Sequence, residues 1–177
     1  MSSNVVIVHD ERLEGCIVAP DKTIFPVNDR VQLSELVGRL KAFCGSGGFR
    51  LILACHGRVR MGGLLLCTDN LTLSTVNRLE PLNGLFGQGI LIDACEVAAT
   101  SDGQLLCSRI AQIVDTTVEA SNKEQLFLFG PVKGVNYLAK SRWDGKVFTW
   151  DACGQFLGKH RGGRQAKQDR IEMPSAR

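Results

Sequence analysis

The sequence predicts an α/β domain on a mainly parallel, helix-covered sheet, with a β-hairpin region toward the C-terminal end. Two observations predict it. From Val5 to Ser121, short β-branched or leucine-rich runs alternate with amphipathic helical patterns, the mark of successive strand–helix–strand units. Beyond Asn122 the pattern shifts to closely spaced strand-like pieces with a turn dipeptide, Asp144-Gly145, between two of them. At 177 residues the chain suits one domain with a real core and is too short for two comfortable ones.

Val5-Val6-Ile7-Val8 is a β-branched run that predicts a first buried strand. Cys16–Ala19 and Thr23–Val27 flank Pro20-Asp21-Lys22 and read as a hairpin, with Pro26 placing it at a sheet edge. Ser34 is the expected cap of a helix with Leu36, Val37, Leu40 and Phe43 on one face, and Gly45 ends it. Leu51–Ala54 is a second buried strand, followed by His56-Gly57 and a glycine-bearing loop, Arg58–Gly63. Leu64–Cys67 reads as a small strand. Ser74 is the expected cap of a helix with Val76 and Leu79, stopped by Pro81 and Gly84. Ile90–Asp93 is another apolar strand, leading into Ala94-Cys95. Ser101 or Asp102 should cap a third helix, with Leu105, Leu106, Ile110 and Ile113 inward, before a strand over Thr116–Ser121. Strand-like pieces follow at 127–129, 135–138 and 146–150.

The net charge of +3 is uneven. Residues 159–177 carry six Lys/Arg and two acids, and their +4 leaves the remainder at −1. The domain, set at 1–158, is therefore not a basic nucleic-acid binder, and 159–177 reads as a basic, flexible tail. No apolar run reaches the roughly 18 residues of a membrane span, and no basic segment precedes the first apolar run as in a secretory leader. The expectation is a cytoplasmic protein, or an effector delivered without a signal peptide. The seven cysteines show no CxxC spacing and no tight Cys/His cluster, so neither a metal nor a cofactor is expected. Most lie in apolar surroundings and read as reduced, buried thiols.

The chemistry gathers where two apolar strands end. An apolar run places the residue after it at the carboxyl edge of a sheet, where open α/β sheets bind ligands. Leu51-Ile52-Leu53-Ala54-Cys55 delivers His56 there, and Ile90-Leu91-Ile92-Asp93-Ala94 delivers Cys95. On neighbouring strands, a thiol beside an imidazole is the minimum apparatus for cysteine nucleophilic catalysis. Gly57 lets its backbone N–H approach a reacting carbonyl, and the N–H of Cys95 is the natural second donor. Asp93 shares the strand face of Cys95, and Glu96–Thr100 should wall one side of a cleft. Cys55 is the rival thiol, but as the strand neighbour of His56 it should point to the opposite face. Read singly, His56 is first a hydrogen-bonded strand-end histidine and Cys95 first a small core residue; it is the pair of strand ends, with Gly57 beside one, that favours the catalytic reading.

An apolar strand ending in His-Gly, then a second ending in a small residue and Cys, resembles the caspase-like cysteine peptidases. These include caspases, metacaspases, gingipains, separase-type and CHAT domains, and the cysteine protease domain of RTX toxins. The matching pieces are Leu51–Gly57 and Ile90–Cys95. Val118-Glu119-Ala120-Ser121 resembles a strand of bacterial members, and the stretch from Val135 to Trp150 is similar to the hairpin region closing the toxin domain. The resemblance covers roughly residues 5 to 157.

It implies a three-layer α/β/α sandwich and a hydrolase acting on polypeptides through a His56/Cys95 dyad and a thioacyl-enzyme, self-processing included. It further implies an oxyanion hole from the N–H groups of Gly57 and Cys95. Asp93-Ala94-Cys95 matches the Asp-x-Cys spacing of metacaspases, in which the acid favours Arg or Lys before the cleaved bond; the alternative for Asp93 is a hydrogen bond to neighbouring loop backbone. Glu96, Ser121 and Arg58 join it as substrate-binding candidates. A preference for acidic substrates would instead need a basic pocket, for which Arg58, Arg60 and Arg142 are available. Glu96-Val97 replaces the His-Ser-Gly of metacaspases, a departure that weakens the transfer of both their calcium dependence and their specificity. The competing expectations are a catalytically inactive caspase-like binding or regulatory domain, a receiver-like domain using His9-Asp10-Glu11, and a redox or zinc protein.

Overall fold

The computed structural model describes residues 4–13, 22–45, 47–58, 62–123, 125–132, 135–143 and 145–161. Five strands end or begin the parallel heart of the chain: β1 (Val5–Asp10), β2 (Thr23–Val27), β3 (Arg50–Ala54), β6 (Ile90–Asp93) and β7 (Val118–Ser121). β1, β3 and β6 are largely apolar, β-branched or leucine-rich, and buried along most of their length; β7 is mostly buried but mixed in composition, and the edge strand β2 buries only Phe25 and Val27. They pair in parallel in the order β7-β6-β3-β1-β2. The sheet is extended antiparallel beyond β7 by β10 (Lys146–Trp150) and β11 (Phe156–Arg161), to seven strands. β4 (His56–Arg58) and β5 (Gly63–Leu65) form a small antiparallel pair, as do β8 (Gln125–Val132) and β9 (Val135–Trp143).

The period of two sorts the strand residues onto two faces. Val6, Val8, Leu51, Leu53, Ile90, Ile92, Val118 and Ala120 join one core with the buried faces of α1 (Leu33–Cys44) and α2 (Ser101–Val114). A 3-10 helix, Val76–Leu82, packs against both helices and adds Val76, Leu79 and Leu82. Ile7, Ile52, Ala54 and Leu91 lie on the other face with Leu13 and Val147. The fold is thus mixed α/β on a mostly parallel central sheet, with the described helices on one face.

Several local expectations are corrected. Helix α1 starts at Leu33 without a side-chain cap from its own segment; the Leu33 N–H donates to Asp69 Oδ2 at 3.1 Å, and Ser34 already lies inside the helix. Phe43 is 47 % exposed, with Leu33 and Cys44 taking the inward positions beside Leu36, Val37 and Leu40. The Val76–Leu82 segment is 3-10, follows Thr75 rather than Ser74, and runs through Pro81 instead of stopping there. Helix α2 is capped by Thr100, whose hydroxyl accepts from the Gly103 N–H at 3.1 Å, not by Ser101 or Asp102. Leu105 is 49 % exposed.

The C-terminal region differs most. β9 pairs with β8 and not with β10, so Gly145 joins two different sheets rather than closing a hairpin. β7 and β10 are held together across the intervening excursion: Asn122 N–H donates to Lys146 O at 3.1 Å and Lys146 N–H to Asn122 Oδ1 at 2.9 Å. β11 carries Lys159, His160 and Arg161 across the boundary drawn at residue 158. β2 is an edge strand, as Pro26 requires, but its described partner is β1 in parallel; the hairpin partner expected at Cys16–Ala19 lies outside the described residues. Residues 162–177 of the expected tail lie outside them as well.

Asp69 ties three elements together, because the same Oδ2 that caps α1 also meets Arg78 Nη1 at 2.8 Å. The Arg78 pair is half-exposed and worth little alone, so the cap dominates. Replacing Asp69 by Ala should lower the unfolding free energy by about 1–2 kcal/mol. Urea denaturation with an unchanged slope checks this; a loss below about 0.3 kcal/mol would show that the cap carries no weight.

Candidate functional site

β3 and β6 run in parallel and in register, Leu51 beside Ile90 through Ala54 beside Asp93. The ladder continues one bond further, with the Cys55 N–H donating to Asp93 O at 3.3 Å. Strands of matched register end at the same height, so the residues that follow them meet. Gly57 marks the meeting: a Cβ added there would lie 1.8 Å from the Cys95 carbonyl oxygen and 2.9 Å from its carbon. No side chain fits, so glycine is required by close backbone approach.

Alternation then assigns the faces. Cys55 lies in the helix-side core and is fully buried, with its thiol pushed well above the usual range by burial. His56, the next residue, is exposed. Asp93 follows Leu91 on the face away from the helices, while Ala94 joins the helix-side core and Cys95 stands half-buried beyond the strand. The expected separation of Cys55 from His56 is therefore present, and so is the meeting of the two strand ends.

His56 is held from a third strand. Its Nε2 lies 3.1 Å from the carbonyl oxygen of Arg12, in the turn that follows β1. A carbonyl only accepts, so Nε2 carries the proton and the neutral ring has Nδ1 as its base nitrogen. Neither this carbonyl nor its setting was read from the sequence. A visible signal was Asp10-x-Arg12, opposite charges two apart just past a buried strand. Asp10 is fully buried and closes onto the Arg12 guanidinium at 2.6 Å, so it is not the open acidic patch a receiver-like domain would need.

After Cys95 the chain turns sharply. Glu96 adopts the left-handed conformation at φ 54°, its N–H donates to Lys123 O at 3.0 Å, and its carbonyl accepts from the Ala99 N–H at 2.9 Å. Glu96 thus fixes the turn that carries Cys95, with β7's C-terminal neighbour as anchor. Ser121 is fully buried, and its hydroxyl accepts from the Lys123 N–H at 3.2 Å. Through Lys123 it is linked to the turn that carries Cys95. Arg58 contributes backbone to β4 opposite Gly63; its side chain, the side chain of Arg142 and all of Arg60 lie outside what is described.

Asp93 is only 4 % exposed, and among the described residues its Oδ1 accepts no hydrogen bond. The alternative of a carboxylate satisfied by loop backbone is not met at that atom. Burial pushes its carboxyl up to about 7. Through Ala54, Asp93 shares a row with His9 on β1, which is also buried. Among the described cysteines, burial likewise raises Cys44 to about 11, Cys67 to about 12, and Cys107 beyond that. Of the described cysteines, Cys95 is half-buried and Cys153 exposed, and the other four are buried. The described residues contain no cluster of three or more His, Cys, Asp or Glu able to hold a metal, and no helix long and apolar enough to cross a membrane. Comparison with protein-family models, curated proteins and solved structures finds no match.

The raised carboxyl of Asp93 has a consequence for stability. An unfolded aspartate ionises near pH 3.9, whereas the folded one holds its proton to about 7. Between these values the unfolded chain binds fewer protons, so the contribution of Asp93 to stability falls as pH rises and levels off above the folded value. Asp93→Asn removes this penalty. Its stability relative to the native chain should grow by about 2–3 kcal/mol from pH 5 to pH 8. Urea denaturation at the two pH values checks it, and a difference independent of pH would contradict a buried neutral acid.

Proposed function

We propose that the protein is a cysteine endopeptidase of the caspase-like kind, with Cys95 as nucleophile and His56 as proton carrier. The observation that carries this reading is the backbone contact of Gly57 with Cys95 at the ends of two in-register parallel strands, with His56 adjoining Gly57 in the chain. The three-layer arrangement implied by the family resemblance is part of the same proposal.

His56 Nδ1 takes the thiol proton of Cys95, and the sulfur attacks the scissile carbonyl carbon. The N–H groups of Gly57 and Cys95 hold the oxyanion. Collapse breaks the C–N bond, and the amine leaves with the proton carried by His56. Water, deprotonated by His56, then hydrolyses the thioester and restores the thiol. Asp93, a buried carboxyl with an open acceptor, suits a substrate Arg or Lys, whose charge would hold it ionised. Glu96, which follows Cys95, and Arg58, which follows Gly57, would contact the substrate beside them. The protein would act in the cytoplasm or as a delivered effector, and self-processing fits the Lys and Arg of residues 159–177.

Cys153 is a built-in control for nucleophile reactivity, being exposed where Cys95 is half-buried. Iodoacetamide should modify Cys95 faster than Cys153, leaving Cys44, Cys55, Cys67 and Cys107 unmodified in the folded protein. A fluorogenic peptide library should be cleaved by the native chain, after Arg or Lys, and not by Cys95→Ala. Equal labelling of the two thiols with no turnover would favour an inactive binding domain, and turnover surviving in Cys95→Ala would dismiss the nucleophile.

Gly57→Ala forces the two strand ends apart, because a Cβ has no room against the Cys95 carbonyl. An ångström of misplacement costs roughly 100-fold in rate, so kcat/KM should fall by about that factor. Retention of more than half the native kcat/KM in a folded Gly57→Ala protein would refute the proposed juxtaposition.

A further inference from the structure

The Arg12 carbonyl that receives His56 Nε2–H belongs to an exposed turn, yet that turn is clamped on three sides. Arg12 Nε donates to Asp10 Oδ1 at 2.7 Å, and Nη2 donates to Asp10 Oδ2 at 2.6 Å. The same Nη2 reaches the carbonyl of Cys67 at 3.1 Å, in the turn after β5. The Arg12 N–H also returns to Asp10 Oδ1 at 3.0 Å, and Leu13 N–H to Asp10 O at 2.9 Å. Asp10 is wholly buried at the end of β1, while the Arg12 side chain keeps about a quarter of its surface. One guanidinium thus bridges a buried carboxylate and a second loop, and its own main-chain oxygen faces the imidazole. Planar two-point pairing to a carboxylate is the geometry arginine provides and lysine does not.

We propose that Asp10 and Arg12 are positioning residues for His56: their side-chain clasp, anchored on Cys67, holds the Arg12 carbonyl where it fixes the proton on Nε2 and leaves Nδ1 to the reaction. This rests on the reading of His56 as the base. Without the clasp the turn would keep its main-chain bonds but lose the link to the Cys67 loop. The carbonyl would then wander, and the ring would divide between its two tautomers.

The test uses the full chain labelled with 15N-histidine, with His56 assigned through His56→Gln. The native protein should show neutral His56 protonated on Nε2 alone. Arg12→Lys, which keeps the charge but not the two-point pairing, should show a mixture of tautomers and a kcat lower by about tenfold or more, with KM within twofold. The neutral pair Asp10→Asn/Arg12→Met, which leaves no buried charge unpaired, should behave alike. Melting curves establish that each variant is folded. A single Nε2–H tautomer in both folded variants overturns the proposal whether or not turnover is detected. A mixed tautomer with native kcat also overturns it, since the clasp would then not serve the reaction. The tautomer is read without substrate, so loss of the peptidase reading and loss of the clasp register separately.

Discussion

The constraint on which the rest depends is the shared register of β3 and β6. Parallel strands that start and stop together bring their following residues to one place, and Gly57 against the Cys95 carbonyl shows how tightly. The register is held from the helical side. Leu51, Leu53, Ile90 and Ile92 pack into one core with α1 and α2, and shifting either strand by one residue would turn that apolar set to the opposite face. The same alternation puts Cys55 inside and leaves His56 exposed. A feature that looks like precision at the rim is thus a product of hydrophobic burial beneath it.

Two buried carboxyls at the strand ends are handled in opposite ways. Asp10 is saturated by Arg12 side chain and backbone, so its burial is compensated and the β1 turn is fixed. Asp93 has an Oδ1 without a partner among the described residues, and burial favours its neutral form. A fold selected only for stability would satisfy or replace such a group. The left-handed Glu96 stands three residues beyond this acid, so an uncompensated buried group and a strained backbone fall within one short stretch of chain.

The parallel heart of the fold was legible because its signals are local and repeated. Runs such as Val5–Val8, Leu51–Ala54 and Ile90–Asp93 are apolar on both faces, and period two settled the orientation of Cys55 against His56. What failed depended on distant partners. The cap of α1 comes from Asp69, thirty-six residues on, and no local serine predicts it. Thr100 displaced Ser101 and Asp102 by one or two positions, a shift that capping propensity does not resolve among adjacent polar residues. Phe43 and Leu105 fit an apolar stripe, yet both stand about half exposed, while Cys44 is buried at the end of α1 and Leu106, expected inward, is buried in α2. Gly145 kept its turn conformation, at φ 86°, but which strands it joins is a matter of pairing order and not of local chemistry. The Arg12 carbonyl escaped because any residue supplies a carbonyl; only the fold decides which one meets a histidine.

Selectivity among the thiols follows from the same geometry. Cys55 adjoins the histidine in sequence, and a reading by proximity along the chain would pair them. The strand's alternation sends Cys55 into the core beside α1 and α2, where burial makes its thiolate costly. Cys44, Cys67 and Cys107 are silenced by the same desolvation. Cys95 stands half-buried past the last residue of β6, in a turn fixed by Glu96 and Lys123. Burial raises the pKa of those four thiols, whereas Cys95 lies half-buried beyond the end of β6, with Gly57, the residue after His56, against its carbonyl.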